Sequence, residues 1–423
     1  MIEKIISWST HNRFFVWIGI LLILVGGVWS VTTTPVDAIP DMSENQVIVY
    51  TEWMGRNPEI IEDQITYPLV SNLQGIPSVK AIRAASMFGM SFIFVIFEDD
   101  AEIYWARTRV LERLNFAQRA MPQGVTPSLG PDGTGVGHVF WYTLQGNGYD
   151  LGELRAVQDW YVKFALQNVA GVSEVASFGG FQKQYQVSIN PNKLIYFGIS
   201  FMDVANALKA NNRDVGGSIF EMNRMGYMIR GLGYIEDIQD IEEISVGSNK
   251  SIPITLKDVA DVQMSSDIRL GLADENGEGE VVGGVVVARY GENAKEVIDN
   301  IKAKLSDVEK GLPPGVGIKI AYDRSDLIEA AIATLKEALV EEVILVSFVV
   351  LLFLFHVRSA LVATITIPLS VLIGFMFVKL FGISLNIMSL GGIALAIGDL
   401  VDAGIVMTEN AYKGLVKGVL KTE

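Results

Sequence analysis

The chain has 423 residues, 50% of them hydrophobic, and a formal net charge of −15. It is too apolar for an ordinary soluble protein, yet it carries long charged stretches that a bilayer excludes, so the composition predicts a membrane protein with a large extramembrane part. No basic face is apparent, which argues against nucleic-acid binding. The absence of cysteine excludes disulfides and thiolate metal sites.

The first apolar run, residues 14–31, is about 18 residues long and would extend ~27 Å as a helix, close to the ~30 Å hydrocarbon thickness of a bilayer. A cleaved signal peptide is the competing interpretation. No small-residue cleavage site precedes the Thr-Thr-Thr-Pro that follows at residues 32–35, so we expect a retained membrane anchor.

Strand and helix patterns alternate after this first span. Asn57 is expected to cap the first helix. The resulting order, β-α-β-β-α-β, is that of a split ferredoxin-like unit, and a second unit is expected to begin at Val139. The predicted strands of the first unit cover residues 46–53, 79–85, 91–97 and 125–129, and its predicted helices cover residues 58–73 and 101–120.

Short sequence matches indicate that the second unit is a duplicate of the first. Gly-Ile-Pro-Ser-Val at residues 75–79 ends a helix and starts a strand, as does Gly-Val-Ser-Glu-Val at residues 171–175, and Pro-Gln-Gly-Val at 122–125 matches Pro-Pro-Gly-Val at 313–316. The matching pieces of the second unit lie before about residue 181 and after about 273, so the stretch between them is predicted to be an insertion. Chance similarity of short Gly-Val turns is the alternative.

Three methionines stand three residues apart in the predicted insertion. The insertion is expected to contain a helix over residues 201–211 and a hairpin around residues 218–231, and the hairpin carries Met222, Met225 and Met228. Thioether sulfur favours Cu(I), which makes a metal site one interpretation. Residues three apart in a strand face opposite sides, so the three sulfurs would converge only if a turn intervenes, and ordinary packing is the other interpretation.

Three further apolar runs are predicted to span the membrane as helices, at residues 343–355, 361–381 and 387–407. The first of these is short in its uncharged part, so Glu341 and Glu342 are expected at its membrane entrance or buried among helices. Positive charge in the short flanks predicts that these flanks are cytoplasmic and that residues 32–336 lie on the opposite face. The flanking cations are Lys4, Arg13, Arg358, Lys413, Lys417 and Lys421.

The last apolar run contains the most informative residues, since Asp399 and Asp402 lie inside it and Glu409 follows its end. A carboxylate at the centre of a membrane helix costs ~2.5–3.5 kcal/mol on insertion scales, so such acids mark ion or proton paths by default. At 100° per residue the three acids lie within roughly 80° of one another. The alternative is simple hydration near a helix end. The sequence lacks a phosphate-binding GxxxxGK[ST] loop, so energy would come from an ion gradient, and it shows no nucleophile and base constellation typical of an enzyme.

Four motifs give the chain a specific resemblance. They are Thr-Pro-Val-Asp-Ala-Ile-Pro-Asp at residues 34–41, Leu-Phe-His-Val-Arg-Ser-Ala at 354–360, Asn-Ile-Met-Ser-Leu-Gly-Gly at 386–392, and Val-Asp-Ala-Gly-Ile-Val-Met-Thr-Glu-Asn at 401–410. With them the chain resembles, over essentially its whole length, the inner-membrane pump subunit of the heavy-metal efflux branch of the resistance-nodulation-division superfamily. Gly-Pro-Asp-Gly-Thr-Gly-Val-Gly at residues 130–137 is closer to copper/silver members than to cobalt/zinc/cadmium members.

The resemblance implies a proton/metal antiporter rather than an enzyme, with Cu(I) or Ag(I) as the favoured cargo and no cofactor. Its intramembrane carboxylate falls on Asp402 and its Glu-Asn motif on Glu409, whereas Asp399 is an additional acid that completes the expected proton relay. Met388 and Met407 match two positions of a methionine relay for the metal. A third relay position is Ile268 here, so this chain departs from the complete methionine relay at that position.

The fold expected from these features is that of an α+β membrane protein, with transmembrane α-helices, periplasmic ferredoxin-like βαββαβ porter subdomains and an inserted docking subdomain. The expected location is the inner membrane, and the expected assembly is a homotrimer with a periplasmic membrane-fusion adaptor and an outer-membrane channel. The expected division is residues 1–37 for the N-terminus and first span, 38–130 for the first porter subdomain, 131–181 with 273–325 for the second, 182–272 for the docking subdomain, and 326–423 for spans two to four and the tail.

Length is the main departure from the resembled family, whose members have two homologous halves. The resemblance assigns the three-methionine periplasmic site and the lysine partner of the membrane acids to the C-terminal half, so the chain is expected to be the N-terminal half alone: a split subunit, a truncated product or a fragment. Two alternatives for function stay open. One is a non-transporting, membrane-anchored assembly element, and the other is an exporter of organic compounds from the same superfamily.

Overall fold

The computed structural model describes residues 8–9, 11–249, 252–269, 271–354 and 357–416. The predicted end of the second span at Phe355, the histidine His356, and the flanking Lys4, Lys417 and Lys421 lie outside the described residues. The first long helix among the described residues is α1 (Arg13–Thr33), which is apolar, and a mixed region of strands and helices follows it.

The first α/β unit has the predicted order of strands and helices. Its sheet is antiparallel with strand order β2-β3-β1-β4. Asn57 caps the first helix as expected, because its side chain accepts a hydrogen bond from the backbone N–H of Ile60 at 3.0 Å. The last strand is only two residues long, since Pro127 has no N–H to donate to a sheet. The elements are β1 (Gln46–Glu52), α2 (Pro58–Ile61, a π-helical turn Glu62–Thr66, and Tyr67–Leu73), β2 (Val79–Met87), β3 (Met90–Phe97), α3 (Ile103–Ala117) and β4 (Ser128–Leu129).

The second unit starts in the same way. It opens with β5 (His138–Gly146), α4 (Leu151–Val157, a π-helical turn Gln158–Val162, and Lys163–Gln167) and β6 (Val172–Gly179). Asp150 and Glu153 form a reciprocal capping box at the start of α4. The first helix of each unit therefore contains a π-helical turn at a matching place, which supports the predicted duplication.

A segment with its own small core follows β6. Its first and last strands pair with each other in antiparallel fashion, and Val204, Ile241, Leu256 and Val259 are among its buried residues. The elements are β7 (Lys183–Ile189), α5 (Pro191–Phe197), α6 (Phe201–Asn211), β8 (Val215–Met222), β9 (Met225–Gly231), α7 (Ile238–Glu242), β10 (Ser245–Asn249), β11 (Ile252–Thr255), α8 (Leu256–Val259) and β12 (Ala260–Ser266).

The chain then returns to the second unit through β13 (Val282–Ala288), α9 (Ala294–Glu309) and β14 (Val316–Asp323). The sheet order of this unit is β14-β5-β13-β6, which is the order of the first unit with each strand replaced by its counterpart. Strand β13 lies at the centre and every one of its residues is buried, so it reads as a continuous apolar run rather than an alternating one.

Three long helices follow: α10 (Arg324–Leu354), α11 (Val357–Leu380) and α12 (Ile387–Val416). They share a small apolar core that includes Leu335, Val371 and Leu390. Among the described residues, α1 is the one helix long and apolar enough to cross a bilayer, with a mean hydropathy of 2.4, while α11 and α12 contain shorter apolar stretches, Ile365–Leu380 and Ile387–Ala396. The second, third and fourth spans therefore stay predictions.

Helix α10 differs from the expected short second span, because it runs without a break from Arg324, well before residue 343. Its first turns pack against the second unit, where Ile328 joins the buried core. Glu341 is exposed, while Glu342 is half-buried and its Oε2 atom has no hydrogen-bond partner among the described residues.

Candidate functional site

The start of α12 is fixed by a local hydrogen-bond pair. The side chain of Asn386 accepts from the backbone N–H of Ser389 at 2.9 Å, and the Ser389 hydroxyl accepts from the backbone N–H of Asn386 at 2.8 Å. This reciprocal cap defines where the helix begins and hence which residues share a face.

The buried face of α12 lies opposite the predicted acids. Leu390 is 5% exposed and contacts the core shared with α10 and α11. In a regular helix Leu390 lies roughly 180° from Asp399, whereas Met388 and Leu395 fall within about 40° of it. Met388 is 73% exposed, Leu395 is 81% exposed and Asp399 is also exposed. Within this chain, the face of α12 that carries Asp399 is therefore uncovered.

Asp402 and Glu409 lie in the same helix, and helix geometry puts them in the same arc of roughly 80° as Asp399 and Met388. Their side chains lie outside the described part of the structure. We name the arc that holds Met388, Leu395, Asp399, Asp402 and Glu409 the acid face.

The two predicted relay methionines do not form one site. Met388 and Met407 are 19 positions apart in α12, about 28 Å along the axis and roughly 100° around it. Met407 is 64% exposed and lies outside the acid face. In the described part of the chain, no group of three or more His, Cys, Asp or Glu side chains is arranged to hold a metal ion.

The hairpin methionines do not converge either. A two-residue turn at Asn223 and Arg224 places Met222 directly opposite Met225. Met228 pairs with Ile219 instead, and its offset of three from Met225 puts it on the other side of the strand. All three methionines are exposed, so the structure supports neither a three-sulfur site nor ordinary core packing.

Sequence reasoning missed a polar contact between the two α/β units, although its loop was noticed as a motif. Asp132 accepts hydrogen bonds from the Ser173 hydroxyl at 2.5 Å and the Tyr104 hydroxyl at 3.2 Å, and its carboxylate lies 3.1 Å from the Arg289 Nε atom. Tyr104 belongs to α3 of the first unit, and Ser173 and Arg289 belong to the second.

Charge and hydrogen bonding determine the ionisation of this contact. Burial raises the pKa of Asp132, but the hydrogen bond from Ser173, the positive charge of Arg289 and the hydrogen bond from Tyr104 outweigh it, so the pKa is held below its ordinary value. Burial and the neighbouring Asp132 carboxylate raise the pKa of Tyr104. The contact therefore joins an ionised carboxylate to a neutral phenol across the two units.

A second missed pair, Asp37 with Arg324, joins the segment after α1 to the first residue of α10. Asp37 stands in the motif at residues 34–41, so its position was visible in the sequence. Its partner lies 287 residues away, and nothing in a single sequence identifies it.

Comparison with known proteins identifies the protein family. A sequence profile of the AcrB/AcrD/AcrF family matches residues 5–423. The cation efflux system protein CusA of Escherichia coli (strain K12) is 49% identical over 98% of this chain and 40% of its own length, and the putative cation efflux system protein SilA of Salmonella typhimurium is 48% identical over the same shares. The cobalt-zinc-cadmium resistance protein CzcA of Cupriavidus metallidurans is 37% identical.

Solved structures agree with the sequence matches. The crystal structure of a heavy metal efflux pump, crystal form I, superposes with a TM-score of 0.84 at 33% identity and covers 96% of this chain and 41% of that one. The chain thus spans about two fifths of the length of these relatives. The predicted resemblance to heavy-metal efflux pumps is confirmed, and the chain belongs to the AcrB/AcrD/AcrF family.

Proposed function

We propose that this chain is the N-terminal part of a proton-driven inner-membrane pump that exports heavy-metal cations, with Cu(I) and Ag(I) favoured. The observation that carries the proposal is the exposure of Met388, Leu395 and Asp399 on the acid face of α12, opposite the buried Leu390. The choice of metal is supported by the sequence at residues 130–137 and by the higher identity to CusA and SilA than to the cobalt-zinc-cadmium relative.

In the proposed pump, the acid face needs other helices to cover it. An ionised carboxylate turned toward lipid costs ~2.5–3.5 kcal/mol, so a membrane protein covers such a face with other helices. The chain has about two fifths of its relatives' length, and we propose that the part of the pump beyond these residues covers the acid face. The covered groups would then titrate out of contact with bulk water.

In this proposal, protonation and deprotonation of Asp402 provide the energy for transport. Adding a proton to Asp402 removes a buried charge, and its release to the cytoplasm restores that charge. A change of ~2.5–3.5 kcal/mol shifts a two-state equilibrium by roughly 10²-fold, which is enough to bias the opening and closing of the periplasmic units. Glu409 and Asp399 extend the proton relay, and Met388 and Met407 serve as successive, separate contacts for the metal.

Transport in vesicles tests the relay. The complete pump containing this chain is reconstituted, and metal uptake is driven by a pH gradient. We expect Asp402→Asn to lower proton-coupled metal transport at least tenfold and Asp402→Glu to retain part of it. Leu395→Met should behave as wild type, because Leu395 shares the face but does not titrate and the substitution conserves volume. Full transport by Asp402→Asn contradicts the relay. If cells keep their metal resistance after replacement of all three acids, the alternative of a non-transporting assembly element is favoured instead.

The proposed assembly is a homotrimer with a periplasmic adaptor and an outer-membrane channel, built from the predicted porter and docking subdomains. The hairpin β8–β9 supports self-association, because all of its residues are exposed and Ile219, Phe220 and Met228 are apolar. We expect Phe220→Ser to lower the trimer fraction in sedimentation experiments. The control is Tyr196→Ser on α5, an aromatic residue outside the hairpin that is even more exposed, at 83% against 55% for Phe220. Equal effects of the two substitutions contradict this role for the hairpin.

A further inference from the structure

The short segment between α1 and β1, residues 35–38, holds several parts of the molecule together, and we name it the strap. Val36 forms a parallel β-bridge with Leu385, just before α12. Backbone hydrogen bonds run from the N–H of Leu385 to the carbonyl of Pro35 at 3.0 Å, from Asp37 to Leu385 at 2.8 Å, and from Ile387 to Ala38 at 3.2 Å. The strap is thus fixed in register to the first residue of α12.

The other side of the strap belongs to the second α/β unit. Ala38 is fully buried in the core of that unit, together with residues of β5, β13 and α9. The Asp37 carboxylate accepts from Nη1 of Arg324, with distances of 3.3 and 3.2 Å to its two oxygens, and Nη2 of Arg324 donates to the carbonyl of His138 at 3.0 Å. Through Asp37 and Arg324 the strap therefore holds the first residue of α10 and the first residue of β5.

The position of Arg324 is costly for a residue with a purely structural role. Its side chain is 5% exposed, its Nε atom has no hydrogen-bond partner among the described residues, and its positive charge stands at the start of a helix, where the helix dipole opposes it. The buried guanidinium of Arg324 therefore forms hydrogen bonds of defined geometry at the point where the strap, β5 and α10 meet.

The hydrogen bonds between the strap and α12 differ in kind from the other contacts of this helix. The helix also meets α10 and α11 through apolar side chains such as Leu390, and apolar contacts are non-directional, so they permit sliding. Hydrogen bonds and a paired guanidinium fix both distance and orientation. A displacement of α12 that slides over its apolar neighbours therefore still moves the strap, and with it β5 and the start of α10.

We propose that Asp37 and Arg324 are positioning residues that transmit movement of α12 to the second α/β unit. The proposal rests on the proposed function, since it assigns a route between the acid face and the periplasmic units. It predicts that loss of the pair uncouples proton movement from metal movement without abolishing either binding step.

Vesicle measurements that record proton flux and metal flux separately test the uncoupling. For Asp37→Asn and Arg324→Gln we expect metal flux to fall at least tenfold while proton flux stays within twofold of wild type, with Arg324→Lys intermediate because it retains the charge but not the two-point donor. Lys295→Gln is the matched control, since it removes an exposed ion pair between α9 and α10 and leaves the strap untouched. Equal losses of both fluxes, or no loss, overturn the proposal.

A distance measurement tests the same link without any transport. The chain contains no cysteine, so Lys304→Cys in α9 and Ala396→Cys in α12, an exposed position outside the acid face, accept one spin label each. We expect a narrow distance distribution that broadens in Arg324→Gln and Asp37→Asn and stays narrow in Lys295→Gln. If the width of the distance distribution is unchanged in both Asp37→Asn and Arg324→Gln, the proposal is overturned. Retained transport in Asp402→Asn would instead refute the proton relay and leave this result standing.

Discussion

A glycine lies at a close approach between two of the long helices, and it gives a prediction with a defined magnitude. A Cβ atom on Gly27 of α1 would lie 2.6 Å from the Cβ of Leu372 in α11. Favourable carbon contacts are ~3.5–4.0 Å, so the helices would have to separate by about 1 Å. Because the clash is with a Cβ atom, no change of the Leu372 rotamer relieves it. Small residues allow this kind of close approach between packed helices.

We expect Gly27→Ala to lower the free energy of unfolding by ~1–3 kcal/mol, the usual cost of overpacking. Gly19→Ala is the matched control in the same helix, because a Cβ there has no neighbour within 4 Å. That substitution should be neutral or stabilising by up to ~1 kcal/mol, since alanine favours helix over glycine. Unfolding in detergent, followed by tryptophan fluorescence across a denaturant series, measures both variants.

A second substitution separates the clash from other effects of Gly27→Ala. Leu372→Ala retains the Cβ and should not relieve the clash, whereas Leu372→Gly removes it. In a double-mutant cycle, Gly27→Ala should therefore be less harmful in the Leu372→Gly background, with a coupling of ~0.5–3 kcal/mol. Equal unfolding free energies for Gly27→Ala and Gly19→Ala would refute the reasoning.

Three other perturbations have defined outcomes. The pKa of Asp132 is lowered in the folded chain, so its ionised carboxylate stabilises the fold above the ordinary pKa of ~3.9, and this stabilisation is lost as the pH falls through the folded pKa. In acid unfolding, the free energy of unfolding of Asp132→Asn should therefore fall less steeply with decreasing pH over this range. Gln158→Leu should cost ~1–3 kcal/mol in thermal unfolding, because it leaves the buried Tyr142 hydroxyl without its partner. Gly391→Ala and Gly392→Ala, which have open space around each new Cβ, should stiffen α12 and preserve metal flux.

Much of the α/β architecture was predictable because local patterns set it. Alternating apolar residues and caps such as Asn57 predicted the strands and helices of the first unit, and the short Gly-Val matches predicted a second unit. The π-helical turns were not predictable, because Glu62–Thr66 and Gln158–Val162 have ordinary helical sequences and the extra residue is accommodated by packing. Both turns begin with Glu or Gln followed by Asp, a signal that becomes visible only after the two units are compared.

In the candidate site, too, the features set by local sequence were predictable and those set by distant contacts were not. The spacing of Asp399, Asp402 and Glu409 predicts one face of one helix, since helical periodicity is local. The sequence did not reveal which face α12 buries, because residues on all sides of it are apolar and the answer depends on contacts with α10 and α11. The pairing of Asp37 with Arg324 connects residues 287 positions apart, and no local pattern encodes such a contact.

Ile387, which is hydrogen-bonded to the strap, and the acid face lie on one continuous helix, and this determines how far a movement caused by protonation would extend. Asp399 lies 12 residues after Ile387, about 18 Å along α12, with Gly391 and Gly392 between them. If the helix is rigid, a tilt at the acid face reaches the strap undiminished, and alanine at either glycine leaves coupling intact. If the helix bends at the glycine pair, part of the movement is absorbed there, and alanine would raise or block metal flux at constant proton flux. We expect the rigid case, so preserved metal flux in both glycine variants would mean that α12 moves as a rigid unit, and a changed metal flux at constant proton flux would contradict that expectation.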